Sequence, residues 1–144
     1  MKNITKCDKC GQSMTLYRRN IRIQSIQLLR KLYFEFVHQT VKVSDLSNET
    51  HMVVDFTKLR YWGLIRSEGN NKYSITELGI AFILGRAHIL KYKFVYNNIV
   101  QPNPEDELNP LIQVWDIKPE VISRETVLRD AKKYPHKPEE VLFT

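Results

Sequence analysis

The sequence predicts an α+β fold: a helix, a short helix, a second full helix, a β-hairpin and a last helix, followed by a C-terminal extension of strands and a helix. Three observations predict it. Apolar residues recur at helical spacing before residue 40, a Gly/Asn-rich turn lies between two short apolar runs near residue 70, and all six prolines fall in the last third. They divide the 144 residues into a head (1–17), a body (18–86) and an extension (87–144).

The first helix is predicted over residues 19–39, from apolar positions that recur at steps of three and four along one helix face. These positions are Ile26, Leu29, Leu32, Tyr33, Phe36 and Val37. The β-branched residues Val41 and Val43 then break the helical period. Ser44 is the predicted N-cap of a short helix over residues 45–49.

A longer helix is predicted over residues 50–62, with Gly63 placed to end it. Two short runs on either side of residues 67–71 predict a β-hairpin. Thr76 is the predicted N-cap of a last helix over residues 77–84 that ends near Gly85. This order of elements is that of a winged helix-turn-helix domain, in which the hairpin is the wing.

Positive charge is concentrated in the head and body. The chain carries a net charge of +6; residues 1–100 hold 16 Lys and Arg against 7 Asp and Glu, whereas residues 101–144 hold 6 against 9. A basic excess of this kind predicts a polyanionic partner, because neutralising phosphates is its commonest use. An ordinary basic surface is the alternative.

In a helix-turn-helix the second helix of the pair enters the DNA major groove. Here it is the helix over residues 50–62, with Thr57 and Lys58 as the best contacts and Asp55 as an unfavourable neighbour for phosphate. The full set predicted to contact double-stranded DNA, from this helix and the wing, is Thr50, His51, Thr57, Lys58, Arg60, Arg66, Asn70 and Lys72. The alternative is a protein–protein interaction module that uses the domain as a scaffold and the C-terminal strands as its partner surface.

The run Lys58-Leu59-Arg60-Tyr61-Trp62-Gly63-Leu64-Ile65, followed by Tyr73-Ser74-Ile75-Thr76-Glu77-Leu78-Gly79, resembles a signature of bacterial, archaeal and phage winged-helix proteins. The resemblance implies that Gly63 ends the recognition helix, that residues 73–76 form the returning wing strand, and that Gly79 lies in the last helix. It also implies DNA binding.

A narrower resemblance covers the head, the body and part of the extension. The Cys7-Asp8-Lys9-Cys10-Gly11 head, this body, and Lys91-Tyr92-Lys93-Phe94-Val95-Tyr96-Asn97-Asn98 are similar to a group of phage-type proteins. That similarity implies a phage or mobile-element origin but no particular activity. The predicted DNA binding, taken with this origin, makes a transcriptional regulator the leading hypothesis.

Cys7 and Cys10 are the only cysteines, and with Gly11 they have the form of a zinc knuckle. A closed zinc site needs four ligands. The candidates to complete it are His38, His51, His88 and His136, none of which is paired with another at a spacing of three to five. Two alternatives remain: a zinc ion shared between the two chains of a dimer, or a degenerate knuckle. No other cofactor is expected.

The extension is predicted to contain a hairpin that turns at Asn97 and Asn98, a strand over residues 111–115, and a helix that begins after Ser123. These elements fold onto the body or onto a second copy of the chain, as a homodimer. No catalytic motif is present; Glu105-Asp106-Glu107 between prolines is typical of a solvated loop. A non-enzymatic, cytoplasmic protein without membrane contact is expected, since no signal peptide or span of roughly 18 apolar residues occurs.

Overall fold

A computed structural model describes residues 2–6, 13–36 and 39–133. The first elements are β1 (Lys2–Lys6), β2 (Ser13–Asn20), α1 (Ile23–Phe36), β3 (Val41–Lys42), α2 (Val43–Leu46), α3 (Thr50–Thr57), a 3-10 helix (Lys58–Trp62), β4 (Ile65–Gly69), β5 (Lys72–Ile75) and α4 (Glu77–Ile83). The extension adds β6 (Ile89–Leu90), β7 (Tyr92–Tyr96), β8 (Ile99–Gln101), β9 (Leu111–Ile112), a second 3-10 helix (Val114–Asp116) and α5 (Arg124–Lys133).

The strands form three small antiparallel sheets. One has the order β3-β5-β4, a second the order β1-β2-β7-β8, and the third is the pair β6-β9. The fold is therefore mixed α+β, as the sequence predicts. Strands of the predicted head and of the predicted extension lie side by side in the four-stranded sheet.

The apolar face predicted for the first helix is the centre of the core. Ile26, Leu29 and Leu32 are fully buried, together with Phe56 of α3 and Phe82 of α4. Burying one such side chain stabilises the fold by about 1.5–3 kcal/mol. Residues from α1, α3 and α4 thus form one continuous hydrophobic cluster.

The predicted start of the first helix is wrong. α1 begins at Ile23, and Arg18 and Arg19 belong to β2, where they lie opposite Phe94 and Lys93 of β7. β2 hydrogen-bonds to β1 on one side and to β7 on the other. This pairing with the neighbouring strand β1 and the distant strand β7 outweighs the local helical pattern.

The helix predicted over residues 50–62 is an α-helix only as far as Thr57, and a 3-10 helix follows it. The 3-10 helix is fixed by tertiary contacts: Trp62 Nε1 donates a hydrogen bond to the carbonyl oxygen of Leu90 at 2.8 Å, and the Tyr61 hydroxyl donates one to Asn98 Oδ1 at 3.1 Å. Gly63 ends the helix in the left-handed conformation, as predicted, with φ 75°.

Of the two predicted N-caps in the body, one is confirmed and one is wrong. The Thr76 hydroxyl accepts a hydrogen bond from the Gly79 backbone N–H at 3.0 Å and caps α4. Ser44 does not cap the short helix, because α2 begins two residues earlier than predicted, at Val43, with Lys42 at the N-cap. Val43 is buried there, and that burial places the first turn of α2 ahead of the polar residue.

In the extension, the predicted hairpin is confirmed: β7 and β8 pair across Asn97 and Asn98, both with positive φ. The Ser123 hydroxyl accepts a hydrogen bond from the Thr126 N–H at 3.2 Å at the start of α5. The predicted strand over residues 111–115 is shorter, ending at Ile112 where the second 3-10 helix takes over. None of the described helices is long and apolar enough to cross a membrane.

Candidate nucleic-acid interface

Basic side chains collect on one face of the sheet β3-β5-β4, which we call the wing face (Lys42, Arg66, Glu68, Lys72 and Ser74). Lys42 lies directly opposite Lys72 in the β3–β5 ladder. Arg66 lies opposite Ser74 in the β4–β5 ladder, and residues two apart on a strand share a face. Like charges placed directly opposite on a sheet destabilise it, so this pairing suits an anionic partner.

Glu68 is the one acidic residue of the wing face. Its Oε1 accepts hydrogen bonds from the Ser74 hydroxyl at 2.8 Å and from Arg66 Nε at 2.9 Å. These two hydrogen bonds, with Ser74 the larger cause, hold the pKa of Glu68 below its ordinary value. Glu68 is therefore ionised at neutral pH and offsets the charge of Arg66, while Lys42 and Lys72 have no ion-pair partner among the described residues.

The wing turns at Gly69, Asn70 and Asn71, which all have positive φ (82°, 54° and 59°). Glycine and asparagine tolerate this left-handed region, so the sequence at the tip fits the tight turn. Asn70 is exposed at that tip, as a wing contact would require.

Thr50 and His51 lie exposed in the first turn of α3. His51 Nε2 is 3.4 Å from a carboxylate oxygen of Glu49, and both side chains are mostly exposed. Val54, one turn further, is 46% exposed. The outward face of α3 is thus accessible at its N-terminal end and carries polar Thr50 and His51 beside apolar Val54.

Two of the predicted DNA contacts are engaged within the chain. The Thr57 hydroxyl donates to the carbonyl oxygen of Val54 at 2.7 Å, so only its acceptor capacity is free. Arg60 Nη1 donates to the carbonyl oxygen of Thr57 at 2.7 Å, and its guanidinium lies 4.8 Å from the centre of the Tyr61 ring. Arg60 is exposed and keeps donors on its outer edge.

Lys58 does not lie with the wing residues. It lines a pocket of about 260 Å³ that also contains Arg18, Arg19 and Arg22, which we call the arginine pocket. Asp55 is the one acidic residue that lines it. The structure therefore brings Arg66 and Lys72 together on the wing face and places Lys58 in a separate basic site.

The sequence analysis did not include Lys42 among the candidate interface residues. Val41 and Val43 flank it and are both buried, whereas Lys42 is exposed. The Val-Lys-Val alternation is typical of a strand with one buried and one solvent-exposed face, and it could have identified Lys42 as a surface residue. Arg22 was missed for a different reason, because its neighbours in the arginine pocket come from β2 and α3.

Cys7 and Cys10 fall within residues 7–12, outside the described residues, so zinc binding stays a prediction. In the described part of the chain, no group of three or more metal-ligating side chains is assembled.

No protein-family model, curated protein or solved structure matches this chain. Its function is therefore inferred from the geometry of its own residues.

Proposed function

We propose that this chain is a non-enzymatic DNA-binding protein with a winged helix-turn-helix body, acting as a transcriptional regulator of a phage or mobile element. The element order α1, β3, α2, α3, β4, β5, α4 supports the fold assignment. So does the strand order β3-β5-β4, in which the hairpin β4–β5 extends a sheet begun by a short strand between the first two helices.

The observation that carries the proposal is the Lys42–Lys72 pair. The two ammonium groups come from directly paired residues, and no described carboxylate neutralises either of them. A phosphate backbone supplies negative charges at regular spacing along a surface of this kind. In the proposed complex Lys42, Lys72 and Arg66 contact phosphates, and Asn70 reaches the groove edge.

In the same complex α3 is the recognition helix. Thr50 and His51 meet the major groove through the accessible first turns, with Arg60 at the opposite end. Thr57 contributes as a hydrogen-bond acceptor, since its proton is used within the helix. Because half-buried Asp55 sits on this helix, base contacts are few and phosphate contacts supply most of the affinity.

The test is fluorescence anisotropy of a labelled random-sequence duplex titrated with the full chain at several salt concentrations. The logarithm of the binding constant should fall linearly with the logarithm of salt concentration, by about 0.9 per neutralised phosphate. A K42Q/K72Q double variant should reduce that slope by about 2 and weaken binding at every sequence tested.

The matched control is K118Q/K132Q, which removes the same charge from exposed lysines outside the interface. Equal losses in both double variants would mean a general charge effect and would contradict the wing docking. Absence of binding by the unmodified chain at low salt would discard DNA binding altogether.

A second candidate function, self-association, is favoured by one observation. β8 lies at an edge of the four-stranded sheet, where Ile99 is 63% exposed and Val100 is 40% exposed. An accessible apolar edge strand is a template for pairing with another chain. In sedimentation experiments I99K should then abolish a concentration-dependent dimer; a chain that stays monomeric at all concentrations rules this function out.

A further inference from the structure

Three elements converge on the arginine pocket: the end of β2, the start of α1, and the junction of α3 with the 3-10 helix. They supply four cationic side chains, Arg18, Arg19, Arg22 and Lys58, against Asp55 alone. None of these five groups forms an ion pair with another described residue. Such an excess of uncompensated like charge in one pocket favours the binding of an anion.

Hydrogen-bond donors in the pocket also lack acceptors. Ser25 lines the pocket at 1% exposure, and its hydroxyl has no partner among the described residues. The same holds for the buried Nε atoms of Arg18 and Arg19. Buried donors are nearly always satisfied in proteins, so three unsatisfied donors on residues that line one pocket favour an acceptor bound beside them.

Two of the four cationic side chains contact aromatic rings in the unliganded chain. Arg18 lies over the ring of Tyr92, 4.2 Å from its centre, and Arg19 lies 5.5 Å from the centre of the Tyr17 ring. Arg19 also lies directly opposite Lys93 in the β2–β7 ladder, which adds to the local positive charge. Fixed groups lose less conformational entropy on binding than free ones do.

The start of α1 reinforces this field. α1 has 14 residues, begins at Ile23 beside Arg22, and carries no acidic residue in its first turn. The N-terminus of a helix bears a partial positive charge and favours anions. The pocket volume of about 260 Å³ is just below the roughly 300–1,000 Å³ of sites for drug-sized ligands, so it suits a small anion or one terminal group of a larger molecule.

We propose that the arginine pocket binds one phosphate group, with Arg18, Arg19, Arg22 and Lys58 as its cationic ligands and the Ser25 hydroxyl as a neutral donor. A doubly charged phosphate matches the excess better than a carboxylate does, and the planar guanidinium fork fits its oxygens. The group comes either from a free phosphorylated molecule or from a DNA backbone. The proposal does not depend on the wing face.

The first test is thermal unfolding of the full chain with inorganic phosphate against sodium chloride at equal ionic strength. Phosphate should raise the midpoint temperature in a saturable way, as a ligand of the folded state does. R22Q should weaken phosphate binding at least tenfold, whereas R129Q, which changes an exposed arginine of α5, should leave it unchanged. The proposal is overturned if phosphate raises the midpoint temperature no more than chloride does, or if R22Q and R129Q weaken phosphate binding equally.

Two further variants separate a binding role from a structural one. S25A removes a buried donor without a partner, so it should weaken phosphate binding several-fold without destabilising the unliganded chain. D55N removes the one carboxylate and should tighten phosphate binding several-fold. The assignment is contradicted if S25A destabilises the chain without changing its affinity for phosphate, or if D55N binds phosphate more weakly.

The source of the phosphate is identified by competition. If labelled duplex displaces phosphate from the unmodified chain, and R22Q weakens duplex and phosphate together, the group belongs to the DNA backbone. If phosphate binds without displacement by duplex, the ligand is a free phosphorylated molecule. Should the chain fail to bind DNA, the phosphate titration still decides the pocket, so the two proposals fail separately.

Discussion

The indole nitrogen of Trp62 donates a hydrogen bond to the backbone carbonyl oxygen of Leu90, 2.8 Å away. The bond joins the end of the 3-10 helix to the first strand of the C-terminal extension. Trp62 is 5% exposed, so the bond is shielded from water. It fixes the direction in which the chain leaves α3 and enters the wing.

W62F should therefore destabilise the chain by about 1–3 kcal/mol, because it leaves the Leu90 carbonyl without its donor. Denaturant unfolding measures this. W115F is the matched control: Trp115 is half-buried, but its indole nitrogen has no hydrogen bond among the described residues. Equal losses from the two variants would show that the hydrogen bond contributes nothing beyond packing.

Gly79 permits the closest approach between α4 and the wing. A Cβ at this position would lie 2.2 Å from the carbonyl oxygen of Leu64 and 2.8 Å from Ile75 Cγ1. Alanine gains about 1 kcal/mol over glycine in a helix, but an overlap with backbone costs more, about 1–3 kcal/mol or above. G79A should lower the free energy of unfolding by about 2 kcal/mol, as measured by denaturant unfolding.

G69A gives the comparison for that variant. Gly69 has φ 82°, and a methyl group added there would meet no other atom within 4 Å. Alanine at this exposed wing tip therefore incurs only the left-handed backbone cost of about 1–2 kcal/mol. A G79A variant as stable as the unmodified chain would mean that α4 shifts freely against β4.

Arg30 of α1 and Asp130 of α5 form an ion pair with side chains that are only 17% and 16% exposed. D130N should cost about 1–3 kcal/mol, because it weakens a charge-assisted hydrogen bond and leaves a half-buried guanidinium. D106N, in an exposed loop, is the control. A double-mutant cycle with R30Q should give a clear coupling energy; additive losses would place the stabilising contact elsewhere.

Glu68 opposes the proposed DNA binding of the β4–β5 hairpin, because its charge offsets that of Arg66. E68Q removes the charge that offsets Arg66, so duplex affinity should rise and the salt slope should steepen by up to about 1. E120Q, another exposed glutamate, should change neither. Weaker binding by E68Q would instead mean that Glu68 positions Arg66 for its contact.

Glu68 also gives the hairpin a pH dependence of known sign. Its pKa is lowered in the folded chain from 4.5, so its stabilising effect is present above pH 4.5 and is lost as the pH falls through the lower folded value. The difference in unfolding free energy between the unmodified chain and E68Q should be constant near neutrality and shrink below pH 4.5. If this difference in unfolding free energy grew on acidification, it would contradict the lowered pKa of Glu68 in the folded chain.

Local patterns predict the parts of this fold that local physics determines. The face of α1 through Leu29 and Leu32, the Gly/Asn turn of the wing, and the Thr76 cap each depend on residues a few positions apart. Arg18 and Arg19 show where this reasoning ends. Both residues pair with β7, more than 70 positions away, and no local period records that pairing.

The residues of the candidate site likewise differ in whether local sequence patterns predict their neighbours. Arg66 and Lys72 flank a turn visible in the sequence, and they do lie on one sheet with Lys42. The arginine pocket is assembled from three separate segments, so Lys58 could be identified as basic but not assigned its neighbours. The contact of Arg60 with the Thr57 carbonyl oxygen lies at the start of the 3-10 helix, which the sequence pattern does not predict.

The four-stranded sheet has a consequence for biosynthesis. β2 ends at Asn20, and its neighbour β7 begins at Tyr92. At about 5–20 residues per second, a ribosome delivers that neighbour roughly 4–15 s later. During this interval the helical body and the wing can already fold, while one side of β2 stays open. Arg18 and Arg19 give that open strand like charges, and such charges disfavour pairing with the same strand of another copy.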